Sequence, residues 1–401
     1  MSPVRPNPID GGPVHRNRAE TVSENSDALH KAAIEDLSLR GWHGLTAADV
    51  SRRAGLTTGA FYNRYLDSND FALDLWFEEL QGILFTAIDK CISALREERP
   101  GIAFARAMKA FVHPEPRLIA AIELVLAAQF NTEPLSEISS LTSRFLSDRV
   151  LVSDHVTPEQ ATVAATICFE AFGLALLSSR PWTAQSSPRE RLIQFGEALL
   201  KASPSAPLPE FDSEYLRQPL PSSGDPRLDH LLTVVEEVIG TIGYHRTTVA
   251  MVCRAADVSS GFVFSRFATK FDLFAAVIDR AWSERFRETA ALTTRLGTDY
   301  GPGVAEALVW RELMRPSVTI PRAIYLETNR LMRYDPAMAN LMAIEDQRLF
   351  TRRGIAAPIP SVINVRRSIG LGIAFVARLV EDVRDLPFGC VTEHLAPVLG
   401  R

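Results

Sequence analysis

Apolar residues recur along this chain at intervals of three and four, the spacing that gathers side chains on one face of an α-helix. Residues 26–40 place Leu29, Ala33, Leu37 and Arg40 on that period. Residues 71–96 continue it through Leu73, Trp76, Phe77, Leu80, Leu84, Ile88 and Ile92. The same spacing predicts helices over 102–112, 116–130, 134–151, 158–179 and 188–202, and again over 271–296, 303–314, 319–333, 336–352, 360–383 and 388–399. No convincing stretch alternates apolar and polar residues between hairpin turns, so the expected fold class is all-α.

The pattern also repeats. Residues 41–65, GWHGLTAADVSRRAGLTTGAFYNRY, align without a gap on residues 243–267, GYHRTTVAMVCRAADVSSGFVFSRF, at an offset of 202. The offset holds beyond this segment: Leu29 falls on Leu231, Asp70 on Asp272, Gly101 on Gly303, Pro114 on Pro316, Pro134 on Pro336 and Pro158 on Pro360. Prolines open or break helices, so shared prolines imply shared helix boundaries. Residues 1–202 and 203–401 therefore read as two copies of one fold, which also suits a length beyond what one core supports. The expected domains are a disordered tail (1–25), a first head (26–70), a first helical body (71–202), a linker (203–227) rich in proline, a second head (228–272) and a second body (273–401).

The repeated segment has the punctuation of two short helices joined by a tight turn. Thr46 can cap Ala47–Ala54, Gly55 can adopt the left-handed backbone that ends it, and Leu56 can anchor the turn. Thr57 then caps a second helix. In the second copy Thr248 and Ser259 cap, and Asp257 stands at the turn, a residue that tolerates the left-handed region better than most. A helix-turn-helix of this kind lays its second helix in the major groove. The start of that helix is small and polar, with Thr57, Thr58, Gly59 and Ala60 in one copy and Ser259, Ser260 and Gly261 in the other. Free backbone N–H groups and hydroxyls there can meet phosphates and base edges without steric obstruction.

The stretch A-G-L-T-T-G-A-F-Y-N-R-Y resembles the DNA-binding pattern A-G-V-S-x-G-x-x-Y-x-x-F of the tetracycline-repressor (TetR) family. The second stretch, A-D-V-S-S-G-F-V-F-S-R-F-A-T-K-F-D-L-F, is similar. The resemblance covers roughly residues 26–80 and 228–282 and implies a transcriptional regulator, most simply a repressor, with double-stranded DNA as its partner. It implies phosphate contacts from Tyr62 and Lys270, which the halves do not share: Phe264 stands at the tyrosine position of one, and Ser68 at the lysine position of the other. Asn63, Arg64, Phe262, Ser265 and Arg266 complete the expected DNA face. The resemblance further implies a two-fold assembly. Here one chain could supply both halves as a pseudo-dimer, packing 161–177 and 189–200 against 363–380 and 388–399 and reading an imperfect palindrome. It also implies that each copy could hold a cavity for a small effector; Phe85, Phe104, Phe111 and Trp310 are the candidate lining. The second body carries more charge (Arg322, Glu327, Asn329, Arg330, Arg333, Arg366, Arg367), so an apolar effector is expected in the first.

Composition narrows this picture. The net charge is −5, so any DNA contact must come from local patches and not from a uniformly basic surface. Cys91, Cys168, Cys253 and Cys390 lie far apart and read as buried thiols. His43 and His245 recur without a second ligand three or four residues away, so no metal is expected. No nucleophile elbow, zinc-protease helix or phosphate-binding glycine loop is present, and no catalytic residue or cofactor is expected. Gly370-Leu371-Gly372 lies in an apolar helical run and reads as close helix packing. Arg5, Arg16 and Arg18 could form an arm on DNA, or simply a solubilising tail. No stretch reaches the roughly 18 uninterrupted apolar residues of a membrane span, and the Pro- and Gly-rich residues 1–20 hold no apolar run of the kind a secretory signal needs, so none is expected there. The expected location is the bacterial cytoplasm, at the nucleoid.

Overall fold

The computed structural model describes residues 18–130, 135–151, 156–178, 188–211, 221–352 and 361–399, and among these the secondary structure is helical. The first half contains α1 (Arg18–Arg40), α2 (Ala47–Arg53), α3 (Thr58–Tyr62), α4 (Ser68–Leu75), α5 (Gln81–Ser93), α6 (Pro100–Val112), α7 (Pro116–Gln129), α8 (Ser136–Val150), α9 (Pro158–Leu177) and α10 (Pro188–Leu199). The second contains α11 (Pro226–Ile242), α12 (Val249–Ala255), α13 (Ser260–Phe264), α14 (Lys270–Tyr300), α15 (Pro302–Leu313), α16 (Thr319–Leu331), α17 (Pro336–Arg352), α18 (Ser361–Val376) and α19 (Gly389–Leu395). Proline stands at the first position of α6, α7, α9, α11 and α15, where its missing N–H has no helical partner to lose.

Three helices form each head, α1–α3 and α11–α13. The bodies meet chiefly along α9 and α18, which cross at backbone contact. A Cβ added to Gly372 would lie 1.7 Å from the carbonyl oxygen of Phe169, and one added to Gly173 would lie 1.7 Å from that of Ser368. Phe172 stacks on Phe375 beside this crossing, with ring centroids 4.1 Å apart. The helices α10 and α19 flank it. By length and hydropathy α9 could cross a membrane, but 89% of its apolar window is buried inside the protein.

Four expectations are corrected. The continuous helix over 71–96 is broken by a π turn at Trp76–Leu80. The buried residues Trp76, Leu80, Leu84 and Ile88 are spaced by fours, which drift by about 40° per step on a 3.6-residue helix. One wider turn takes up that drift and keeps the row on the core. The helix expected over 360–383 ends at Val376, because Arg378 swings across to the Gln129 carbonyl (3.0 Å) and the Leu379 carbonyl accepts the Ser143 hydroxyl (2.6 Å). The tail is shorter than expected, since residues 18–25 already belong to α1; Arg5 and Arg16 lie outside the described residues. The described start of the linker is docked: the carbonyls of Pro209 and Phe211 accept Arg311 and Arg315, each at 2.8 Å, and Leu208 packs on the core.

Candidate nucleic-acid interface

In both heads the local sequence builds the turn. Thr46 and Thr57 accept the amides of Asp49 (3.0 Å) and Ala60 (3.3 Å), capping α2 and α3. Thr248 and Ser259 accept those of Met251 and Phe262, both at 3.2 Å, capping α12 and α13. Gly55 takes φ +72° and Asp257 φ +50°, the latter the single non-glycine residue with positive φ among those described. After each, the next amide reaches back to a carbonyl five residues earlier, Leu56 to Ser51 at 2.8 Å and Val258 to Cys253 at 3.0 Å. This is the bond pattern of a Schellman helix end.

Beyond the turn, Phe61 and Val263 plug their heads, leaving the rest of each short helix outward. Thr57, Thr58, Gly59, Tyr62, Asn63 and Arg64 are exposed on one head, and Ser259, Ser260, Gly261, Phe264, Ser265 and Arg266 on the other; Ala60 is half-buried. A Cβ at Gly59 would meet nothing nearer than the Thr57 hydroxyl at 3.6 Å, and one at Gly261 nothing nearer than the Ser259 hydroxyl at 3.8 Å. Neither glycine is therefore held by packing within its own head.

The basic residues are less available than the sequence suggests. Lys270 hands its ammonium to the carbonyls of Tyr244 (3.0 Å), Thr247 (3.1 Å) and His245 (3.5 Å), over the Tyr244 ring, and burial lowers its pKa. Arg266 pairs with Asp225 at 3.2 Å. Phe262 is no open contact: its half-buried ring carries the guanidiniums of Arg227 and Arg266, 4.4 and 3.9 Å from its centroid. Arg64 is the freer of the two late arginines, 3.7 Å from Asp74. Tyr65 is core, its hydroxyl donating to Asp74 at 2.7 Å, whereas Phe267 is half-buried.

The heads are tied together by a buried charge network that the sequence reading missed. Arg330 of α16 bonds Glu123 of α7 (2.7 Å) and Glu327 of its own helix (3.1 Å), all three side chains at most 3% exposed. Glu123 accepts the Trp42 amide and Glu327 the Tyr244 amide, both at 2.8 Å. Those amides occupy equivalent places in the loops after α1 and α11, so one arginine holds both loops through two carboxylates. Above it His43 stacks on His245, with centroids 4.3 Å apart. Burial, then the Arg330 charge, holds both imidazoles below their usual range, although both rings still reach solvent. The available signal was a lone glutamate inside the apolar helix PRLIAAIELVLAAQ.

The cavity also lies where the sequence did not place it. A space of about 610 Å³ opens in the second body among α14, α15, α16 and α18, with Trp282, Phe286, Trp310 and Tyr325 on its wall. Of the four candidate lining residues only Trp310 borders it. Phe104 and Phe111 are sealed in solid core, and Phe85 lies face to face with Phe145 at 3.8 Å. The expected seat in the first body is occupied by large side chains, including Trp76, Leu80 and Leu84.

No curated protein matches the chain. Residues 231–277, spanning most of α11 through the start of α14, match the family model described as bacterial regulatory proteins, tetR family, which supports a DNA-binding transcriptional regulator of that kind.

Proposed function

We propose that this chain is a repressor built as a covalent pseudo-dimer: two non-identical helix-turn-helix heads in one polypeptide read an imperfect palindrome, and a ligand in the second-body cavity governs release. The observation that carries this reading is the Glu123–Arg330–Glu327 network. It suspends both head loops from the junction of the two bodies, as a two-fold regulator requires if its recognition helices are to hold a fixed spacing, about 34–36 Å on B-DNA. The α9–α18 crossing supplies the junction. The α16 helix carries Arg322 and Tyr325 on the cavity wall and, one turn on, Glu327 and Arg330. A ligand that prefers one position of α16 would shift the population of head spacings. Such a regulator works in the bacterial cytoplasm on double-stranded DNA and needs neither metal nor catalytic residue.

The test is a mobility shift against DNA flanking the chain's own gene, with stoichiometry from mass photometry. One chain per duplex is expected, with log affinity falling linearly against log salt. Gly59→Leu and Gly261→Leu should each weaken binding at least tenfold without unfolding the head, since both glycines face open space. A stable two-chain complex on DNA overturns the one-chain reading. Binding that ignores salt and both substitutions overturns the DNA reading.

One observation favours a second reading, in which the second head is a degenerate DNA reader. Its Phe264 lacks a hydroxyl, Arg266 is paired and Lys270 is occupied internally. In that case Gly261→Leu will leave affinity unchanged while Gly59→Leu abolishes it.

A further inference from the structure

The cavity wall is apolar and aromatic, but its charges do not balance. Four arginines border it: Arg285, Arg322, Arg366 and Arg367. Arg285 pairs with Glu236 at 2.6 Å, and Arg367 makes a two-pronged bond to Asp346 at 2.8 and 2.6 Å. Arg366 has Glu306 as its nearest carboxylate, 3.7 Å away and beyond hydrogen-bond reach; its buried Nε and Nη2 atoms have no hydrogen-bond partner. Arg322 is buried and touches neutral groups, the Leu313 carbonyl (2.8 Å) and the Thr319 hydroxyl (3.1 Å), while its Nε stays unsatisfied. Among the described residues three carboxylates lie within ion-pair distance of these four guanidiniums, and Glu381 acts on Arg322 only through space.

A cation whose buried N–H groups lack acceptors is costly, and an orphaned guanidinium edge is shaped for a planar anion. The Nε/Nη2 side of Arg366 is the edge a carboxylate takes with two parallel bonds. Equivalent positions in the first body are Ala164 for Arg366 and Ala165 for Arg367, so nothing similar exists there.

We infer that the second-body cavity is a binding site for a single anionic aromatic ligand, an aromatic carboxylate or sulfonate, whose charge is met by Arg322 and Arg366 and whose rings lie among Trp282, Phe286, Trp310 and Tyr325. One molecule binds per chain, not one per half. The ligand class rests on the cavity alone. Only its role as an effector rests on the regulator reading above.

A matched pair of fluorescent probes tests the charge requirement: 8-anilinonaphthalene-1-sulfonate and N-phenyl-1-naphthylamine share an aromatic body and differ by the anion. Both are titrated into the full chain without DNA. The sulfonate is expected to bind with one-to-one stoichiometry about tenfold to a hundredfold more tightly, the range of a charge-assisted bond in a dry site. Arg322→Gln and Arg366→Gln, on different helices, should each remove most of that preference and leave the neutral probe unchanged. Thr293→Trp should block both probes. Equal affinity for the two probes, two sites per chain, or a preference that survives both arginine variants overturns the inference; circular dichroism of each variant separates lost binding from lost fold. Adding the sulfonate to the protein–DNA complex is a separate step. Tight binding without release of DNA sinks the effector role and leaves the ligand class standing.

Discussion

The two bodies solve the same packing problem in opposite ways. In the first, a π turn at Trp76–Leu80 keeps Trp76, Leu80, Leu84, Ile88 and Cys91 on one buried row, and the interior is filled. In the second, α14 runs without a π turn for 31 residues from Lys270 to Tyr300. Threonines at 289, 293, 294 and 298 line part of it, each donating its hydroxyl to its own helix (2.5–3.2 Å), and a cavity remains. The heads differ in the reverse sense. The first exposes Tyr62 and Asn63, whereas the second, although it carries the family match, has Lys270 and Arg266 engaged within the head. The comparison teaches that the exposed polar recognition face and the open interior lie in different halves of one chain.

The largest expected effect comes from breaking the seam between them. Gly372→Val would drive a side chain into the Phe169 carbonyl, and thermal unfolding should show a loss of about 3 kcal/mol or more. Retained stability would mean that α9 and α18 are free to separate. Next is Arg330→Met, which leaves Glu123 and Glu327 buried without their cation at a cost of about 3–5 kcal/mol. Adding Glu123→Gln and Glu327→Gln should recover much of this in denaturant titrations, because the uncompensated charges are then gone.

A third test uses pH at the seam. Glu170 of α9, buried and bonded to the Ser368 hydroxyl at 2.7 Å, has its pKa pushed up to about 8 by burial. An acid whose folded pKa exceeds its unfolded value, 4.5 here, takes up a proton on folding. Stability should therefore fall as pH rises from about 4.5 through 8, and Glu170→Gln should flatten that slope. A slope unchanged by the substitution would rule out this carboxyl as its source.

Smaller effects sharpen the contrast between the heads. Tyr62→Phe removes a hydroxyl and should weaken DNA binding by about 0.5–1.5 kcal/mol, while Phe264→Tyr should strengthen it by a similar amount. If Phe264→Tyr changes nothing in fluorescence anisotropy, the second head does not touch phosphate there. The mildest effect concerns the His43–His245 stack. Both groups titrate in the fold below their unfolded value of 6.5, to about 3 and about 4. Stability should decline as pH drops below 6.5, modestly because the rings reach solvent, and His43→Phe should soften that decline.

The parts legible in the sequence were those with local causes. The proline at the start of α9, hydroxyl caps at Thr46, Thr57, Thr248 and Ser259, and the left-handed turn at Gly55 are set by neighbours a few residues away and lie where the pattern placed them; Pro114 precedes α7 by two residues, and Pro134 and Pro360 lie outside the described residues. Even Asp257 followed from its tolerance of positive φ. Tertiary structure decided the rest. Spacing by fours does not announce a π turn until the row must meet a core. An arginine's charge does not reveal whether it faces solvent, a carboxylate or an empty space, which is why charge in the second body argued against the cavity that lies there. Glu123, Glu327 and Arg330 are ordinary helix residues in sequence. They become one network only because α7 and α16, about two hundred residues apart, bury their charges against each other, where low dielectric makes pairing obligatory.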